Sequence, residues 1–132
     1  MADLEKLTLS DAEWRERLTS RQYKVLREKG TDRPFTGEYT HPGAVGMFVC
    51  AACGEELFSS DAQFDSGSGW PSFVEPLDPS RVELHVDNTL GMVRTEVTCA
   101  RCGGHLGHVF NDGPRPTGER WCINSTSLDL RK

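Results

Sequence analysis

The stretch that organises this chain is residues 99–127, which read CARCGGHLGHVFNDGPRPTGERWCINSTS. It holds three of the five cysteines and two of the four histidines of the 132-residue chain. A cysteine pair, Cys99 and Cys102, runs into two histidines, His105 and His108, and a lone cysteine follows at Cys122. We therefore expect the chemistry of the protein to lie in these thiols and imidazoles.

A second cysteine pair has the same C-x-x-C spacing, and 45 residues separate the two pairs. The tight turn inside each pair brings two sulfurs onto one centre, and a glycine follows each pair where such turns favour it. Two pairs complete a tetrahedral site that has four protein ligands and no open position. The sequence thus predicts one structural Zn²⁺ per chain, which stabilises the fold and does no catalysis. Its predicted ligands are Cys50, Cys53, Cys99 and Cys102.

Other uses of these residues remain open on the sequence alone. Four thiolates also bind iron. A redox-active C-x-x-C of thioredoxin type begins a helix after a strand and needs no second copy, so the duplication favours a metal. His105 and His108 could replace one cysteine pair as ligands. With two C-x-x-C pairs present, we expect these histidines to be free for proton transfer near neutral pH.

Cys122 is the one cysteine that the predicted metal site does not use. A free cysteine in a strand is commonly a small buried residue, and that alternative stays open. Its neighbours favour chemistry, because Arg120 and Asn124 fall on the same face of a strand as Cys122. A guanidinium beside a thiol favours the thiolate, and an amide can hold a reacting group in place. The pattern therefore indicates a nucleophile.

Local patterns predict two short helices followed by antiparallel β structure. Ser10 with Glu13, and Thr19 with Gln22, have the spacing of capping boxes at helix starts. Alternating residues then indicate strands, and two of these read as an antiparallel pair joined by a short loop at 88–91. The predicted strands are 47–50, 81–86, 92–98 and 120–130.

Length, composition and charge limit the class of protein. A chain of 132 residues with 36% hydrophobic and 27% charged residues fits one globular domain, 1–132, on which residues 1–30 pack as a helical extension. No apolar run reaches the roughly 18 residues of a membrane helix, and no secretory signal begins the chain, so we expect a cytoplasmic protein. Residues 34–132 carry thirteen acidic and seven basic residues, a net charge of −6 that disfavours nucleic acid.

Several further motifs identify a family. GWPSF (69–73), GHLGHVF (104–110), DGPRPTG (112–118), RWCINS (120–125) and PFTG (34–37) strongly resemble the B-type methionine sulfoxide reductases, which reduce the R epimer of methionine sulfoxide in proteins. The resemblance covers about residues 31–128. It implies a mainly β (α+β) fold of two small antiparallel sheets in an open, tent-like arrangement, with two or three short N-terminal helices. The active site would lie on the outermost strand and the zinc at the far side.

The resemblance also implies the roles of individual residues. The Cys122 thiolate would attack the sulfoxide sulfur, giving methionine and a sulfenic acid. Because sulfoxide oxygen leaves poorly until it is protonated, a donor aimed at it lowers the barrier, and His108 with His105 in support fits that role. The implied catalytic residues are Cys122, His105, His108, Asp112, Arg120 and Asn124. The implied substrate-binding residues are Trp70 and Phe110, an aromatic wall for the methyl group.

The chain departs from the family pattern at two positions. Ser68 stands where many members have a resolving cysteine, so we expect the sulfenic acid to be reduced directly by thioredoxin or a small thiol. Trp121 stands where the family more often has Tyr or Phe, and it should point away from Cys122 and pack. The expected partners are oxidised proteins that bear methionine R-sulfoxide and the thiol reductant, and we expect a monomer that binds neither nucleic acid nor membrane.

Two rival functions follow from the same residues. A non-enzymatic zinc-ribbon module for interaction would explain the four metal cysteines and leave Cys122 and its neighbours unexplained. A thiol-dependent hydrolase would use Cys122 and a histidine, but it needs an oxyanion hole for which the sequence has no signature. The reductase interpretation also accounts for Trp70 and Phe110, and is preferred.

Overall fold

Two short helices open the computed structural model, which describes residues 7–88 and 91–131. Residues 1–6 of the predicted extension, residues 89–90 of the predicted loop and residue 132 lie outside the described residues. The capping boxes are present, because the Ser10 and Thr19 side chains each accept the N–H three residues on, at the starts of α1 (Asp11–Arg17) and α2 (Ser20–Leu26). None of the described helices has the length and apolar character needed to span a membrane.

The rest of the described chain is organised into two antiparallel sheets, which confirms the predicted mainly β fold. A three-stranded sheet has the order β2-β1-β9, and a six-stranded sheet has the order β3-β4-β8-β7-β6-β5. The strands are β1 (Met47–Cys50), β2 (Glu56–Ser59), β3 (Gln63–Phe64), β4 (Ser72–Phe73), β5 (Val82–Asp87), β6 (Arg94–Cys99), β7 (His105–Phe110), β8 (Arg120–Ile123) and β9 (Leu128–Arg131).

Aromatic side chains from both sheets form the core between them. Phe58 stacks on Phe73 with ring centroids 4.5 Å apart, and Phe48 meets Phe73 edge-on at 5.3 Å. Trp121 faces the same core and lies 6.3 Å from Phe58. Because side chains alternate along a strand, Cys122 must face the other side of the six-stranded sheet. The core thus fixes the face on which the thiol is presented.

Two expectations about the Cys122 strand are wrong. The predicted strand over 120–130 is two strands, because β8 ends at Ile123 and a 3₁₀ turn, Ser125–Ser127, leads the chain into β9 of the other sheet. β8 is also interior, since β4 pairs along it and places Ser72 opposite Cys122. β4 has two residues, too few for any alternation to be visible in the sequence. Cys122 is therefore held from both sides.

A glycine in β7, Gly107, lies so close to β8 that one added methyl group should have a strong effect. A Cβ on Gly107 would lie 2.0 Å from the carbonyl oxygen of Cys122 and 2.9 Å from Cα of Ile123. We expect Gly107→Ala to force β7 and β8 apart and to lower the free energy of unfolding by about 3 kcal/mol. Urea unfolding monitored by circular dichroism measures this change. An unaltered midpoint would mean that the strands can separate at no cost.

Candidate functional site

A pocket of about 240 Å³ lies on the face of the six-stranded sheet that carries Cys122. It opens beside β8 and β7, whose pairing sets His108 directly opposite Cys122. The structure places six of the eight side chains that the sequence singled out for chemistry around this pocket: Cys122, His108, Arg120, Asn124, Trp70 and Phe110. His105 and Asp112 do not line it.

The environment of the Cys122 thiol combines burial with nearby donors. Burial raises the pKa of this thiol above its ordinary value, while the Arg120 guanidinium and a hydrogen bond from Ser68 act in the opposite direction. The Cys122 thiol thus combines a raised pKa with a cation and a hydroxyl beside it. A cation and a hydroxyl donor beside a thiol are groups that favour its thiolate.

Arg120 is fixed in place by two neighbours. Its Nε and Nη2 donate to the two carboxylate oxygens of Asp112 at 2.9 and 3.2 Å, and its guanidinium carbon lies 4.5 Å from the centre of the Phe110 ring. The same contact lowers the pKa of the Asp112 carboxyl. Asp112 is exposed, so it acts on the pocket through Arg120, which a bidentate pair orients more firmly than a single bond would.

His108 is anchored by a carboxylate that the sequence analysis did not identify. Its Nε2 lies 2.8 Å from Oδ2 of Asp87, and Nη2 of Arg94 lies 3.4 Å from the same oxygen. Asp87 and Arg94 are partners across the β5–β6 ladder, and Arg94 also lines the pocket. The imidazole is therefore held at one nitrogen by a charged pair.

His105 stands behind the pocket instead of lining it. Its Nδ1 lies 2.8 Å from Oε2 of Glu96, and Nζ of Lys29 lies 3.0 Å from Oε1 of the same carboxylate. Burial lowers the pKa of His105, and Glu96 partly offsets that effect. Burial also acts to raise the pKa of Glu96, but the bonds from His105 and Lys29 bring it below its ordinary value. The His105 ring meets His108 edge-on at 5.6 Å, so it supports the pocket histidine.

Trp70 and Asn124 share an anchor in the segment before β1. Nε1 of Trp70 donates to the carbonyl of Asp32 at 2.9 Å, and Oδ1 of Asn124 accepts the N–H of Asp32 at 3.0 Å. The Asn124 amide also donates to the carbonyl of Leu106 at 3.1 Å, so this buried side chain is bonded at both ends. These bonds fix the position of the Asn124 side chain where it lines the pocket.

Sequence reasoning missed the residues that hold the site from a distance. The opposite charges of Asp87 and Arg94 flank the predicted β5–β6 loop, and cross-strand pairing could have joined them. Lys29 and Asp32 gave no such signal, because their partners Glu96, Trp70 and Asn124 lie far along the chain. Thr31, Ser68 and Gly107 complete the lining.

Two knuckle turns bring the four remaining cysteines together at a second place. Their sulfurs all lie within 4.8 Å of one another, with Cys50–Cys102 at 3.8 Å and Cys53–Cys99 at 3.6 Å. Four sulfurs about 2.3 Å from a central ion form a tetrahedron whose edges are about 3.8 Å, so the cluster fits a zinc site. Gly54 and Gly103 have φ of 80° and 76° and close the two turns.

The raised pKa of the Cys122 thiol predicts how its reactivity depends on pH. A higher pKa means a smaller thiolate fraction at every pH below it, so alkylation should rise with pH through a midpoint above that of an ordinary thiol. Replacing Arg120 by Gln removes the positive charge that lowers the pKa of Cys122, so the midpoint of alkylation should move higher still. Iodoacetamide labelling with peptide mapping of Cys122 measures both. A midpoint below the ordinary thiol value would contradict this account.

Comparisons with known proteins agree with each other. A family model described as the SelR domain matches residues 18–132. The chain is 59% identical over 130 residues to an Agrobacterium fabrum protein named peptide methionine sulfoxide reductase MsrB, a match that covers 97% of this chain and 96% of that protein. A Thiobacillus denitrificans protein of the same name is 60% identical over 121 residues, with 92% of each chain covered. One from Methanosarcina mazei is 56% identical over 127 residues, or 96% of this chain and 91% of that protein.

Proposed function

This chain belongs to the SelR-domain family and is a peptide-methionine (R)-S-oxide reductase of the MsrB type, and from that premise we propose that the Cys122 thiolate is its nucleophile. The observation that carries the proposal is the pocket itself, where a half-buried thiol lies among a cation, an imidazole and an aromatic wall. No other free thiol stands outside the four-cysteine cluster among the described residues.

The proposed chemistry moves one oxygen atom between two sulfurs. The Cys122 thiolate attacks the sulfoxide sulfur and forms an S–S bond while a proton is delivered to the sulfoxide oxygen. The resulting hydroxyl is then transferred to the Cys122 sulfur, and the S–O bond of the substrate and the new S–S bond both break. Methionine is released reduced, and Cys122 becomes a sulfenic acid. His108 lines the pocket and is the proton donor, while His105 supports it from behind. Arg120, held by Asp112, stabilises the thiolate before attack.

The aromatic residues provide binding and stereochemistry. Trp70 and Phe110 line the same pocket as Cys122 and offer an apolar surface to the ε-methyl group. With the methyl on that wall and the oxygen toward His108, only one epimer presents its sulfur to the thiolate. Asn124 sets the position of the wall through its two backbone bonds.

The four-cysteine cluster is proposed to hold one structural Zn²⁺ per chain. The tetrahedral spacing of the sulfurs and the all-thiolate ligand set support zinc, and four protein ligands leave no position for a substrate. None of the four cysteines lines the pocket. Bound there, zinc would fasten the β1–β2 turn to the β6–β7 turn and supply stability.

The reductant and the assembly are also part of the proposal. Ser68 lines the pocket with Cys122 and offers no second sulfur, so thioredoxin or a small thiol would reduce the sulfenic acid directly. The substrates are oxidised proteins that bear methionine R-sulfoxide. A monomer is proposed as the assembly, and a single domain is proposed because the helices share the core of the sheets.

Steady-state turnover of separated epimers tests the proposed function. Peptides that contain either the R or the S sulfoxide of methionine are incubated with the protein and excess dithiothreitol, and the methionine peptide is quantified. We expect turnover of the R peptide and none of the S peptide. Turnover of neither epimer, or of the S epimer alone, would overturn the proposal.

A further inference from the structure

Asp32 has a buried carboxylate that the mechanism above does not use. The residue is 2% exposed. Its side chain accepts three hydrogen bonds, from Oγ1 of Thr126 at 2.6 Å, from N–H of Thr126 at 3.0 Å and from Nη2 of Arg21 at 3.0 Å. A carboxylate is buried without large cost only when donors and a counter-charge surround it. These donors hold Asp32 against the 3₁₀ turn that follows β8.

The backbone of the same residue holds two pocket side chains. Its N–H donates to Oδ1 of Asn124 at 3.0 Å, and its carbonyl accepts Nε1 of Trp70 at 2.9 Å. Trp70 and Asn124 come from opposite sides of β8 in the chain order and both line the pocket. The backbone N–H and C=O of Asp32 therefore both bond to side chains of the pocket. The bonds of its carboxylate fix the position of that backbone.

We infer that Asp32 is a positioning residue for the substrate pocket, and that Arg21 secures it from helix α2. The inference rests on the proposed function and deepens it, because it assigns a role to a residue that does not touch the substrate. It also gives the N-terminal helices a task, since α2 packs against β7 and the 3₁₀ turn and delivers Arg21 to the Asp32 carboxylate.

The indole ring of Trp70 shows why an anchor matters. An indole has one donor, and the Asp32 carbonyl is its acceptor here. If Asp32 shifts, the ring loses the bond that sets its angle, and the wall for the methyl group moves with it. A misplacement of about 1 Å at a reacting centre can cost about a hundredfold in rate. The effect should therefore appear in kinetics more strongly than in folding.

Asp32→Asn is the first variant. An amide keeps the size of the side chain but loses the negative charge that Arg21 neutralises. It also replaces one of the two accepting oxygens by an NH2 donor, which would face the donors of Thr126 or Arg21. We expect kcat/KM for the R-sulfoxide peptide to fall about tenfold to a hundredfold. The matched control is Glu55→Gln, which breaks a 2.8 Å ion pair with Arg81 at a half-buried place outside the pocket. It should leave kcat/KM within about twofold of the parent.

A double-mutant cycle separates positioning from general destabilisation. Trp70→Phe keeps an aromatic wall but removes the donor to Asp32. If both changes act through one contact, the double variant should lose clearly less in kcat/KM than the product of the two single losses. Losses that simply multiply would overturn the inference, even where each variant is impaired. Thermal unfolding of all four proteins confirms that the assays are run on folded protein.

If Asp32→Asn does not fold, Arg21→Gln tests the positioning role of Asp32 instead. Arg21 is 62% exposed at its side chain, so its loss is tolerated, and we expect kcat/KM to fall about threefold or more as Asp32 loosens. Unchanged kinetics in Arg21→Gln, or in a folded Asp32→Asn, would overturn the inference while the proposed function stands. A parent protein that reduces neither epimer would instead overturn the proposed function.

Discussion

Replacing Cys122 by serine is expected to abolish sulfoxide reduction, with kcat/KM for the R-sulfoxide peptide lowered by at least about ten thousandfold. A hydroxyl in the same pocket is a far weaker nucleophile than a thiolate and cannot form a sulfenic acid. Serine is close in size to cysteine, and Cys122 takes no part in the four-cysteine cluster, so the fold and the cluster should be unaffected. Turnover with dithiothreitol, followed by chromatography of the peptide, measures the loss.

Two control measurements make this result specific. Circular dichroism and metal content of Cys122→Ser should match those of the parent protein. Residual turnover within about tenfold of the parent would show that another group performs the attack, and the proposed mechanism would be wrong.

Loss of the proposed zinc is expected to unfold the protein. Structural zinc in small sites contributes about 10–16 kcal/mol to folding, which is comparable to the total stability of about 5–15 kcal/mol that a domain of this size has. Cys99 is fully buried, so Cys99→Ser removes a ligand that no other described side chain is placed to replace. We expect this variant to bind no zinc and to lose its cooperative unfolding transition.

The two cysteine variants are matched controls for each other. Cys122→Ser should keep one zinc per chain and lose turnover, whereas Cys99→Ser should lose both zinc and the folded state. Atomic emission measures the metal, and circular dichroism with a thermal scan measures the fold. A Cys99→Ser protein that unfolds at the parent temperature would show that the cluster is dispensable for stability.

Local sequence patterns predicted most of the fold because the responsible forces are local. The capping boxes at Ser10 and Thr19 satisfy backbone donors within three residues, and both are present. Alternation of side chains likewise located β5 and β6, whose ladder runs from Val82 opposite Cys99 to Asp87 opposite Arg94. The cysteine spacing predicted the cluster, since each tight turn carries two ligands by itself.

The interior position of β8 could not be read in the same way. Its neighbour β4 is two residues long and follows a glycine-rich segment, so nothing in the period of the sequence distinguishes it from a loop. The turn from β8 to β9 depends on Ser127, whose hydroxyl donates to the His105 carbonyl at 2.9 Å across the sheet. Both features come from tertiary pairing, which local patterns do not encode.

The candidate site shows the same division between local and distant determinants. Arg120, Cys122 and Asn124 were joined by strand alternation, and the cysteine count left His108 free for proton transfer. The resemblance to a family added Trp70 and Phe110 as substrate-binding residues. The anchors Lys29, Asp32 and Glu96 act through buried charge pairs that exist only once the N-terminal segment has folded onto β6 and the turn after β8. In the sequence, a charged residue near a helix end looks the same whether it anchors a site through a buried ion pair or lies in solvent at the surface.

One turnover of the fully reduced protein without any external thiol tests the central claim most directly. The protein is mixed with excess R-sulfoxide peptide, methionine peptide is quantified per chain, and a dimedone-type reagent traps sulfenic acid for peptide mapping. We predict one methionine per chain, with the adduct of the trapping reagent on the Cys122 sulfur and no disulfide to that residue. Absence of methionine, trapping at another residue, or a disulfide between Cys122 and a cysteine of the cluster would contradict it.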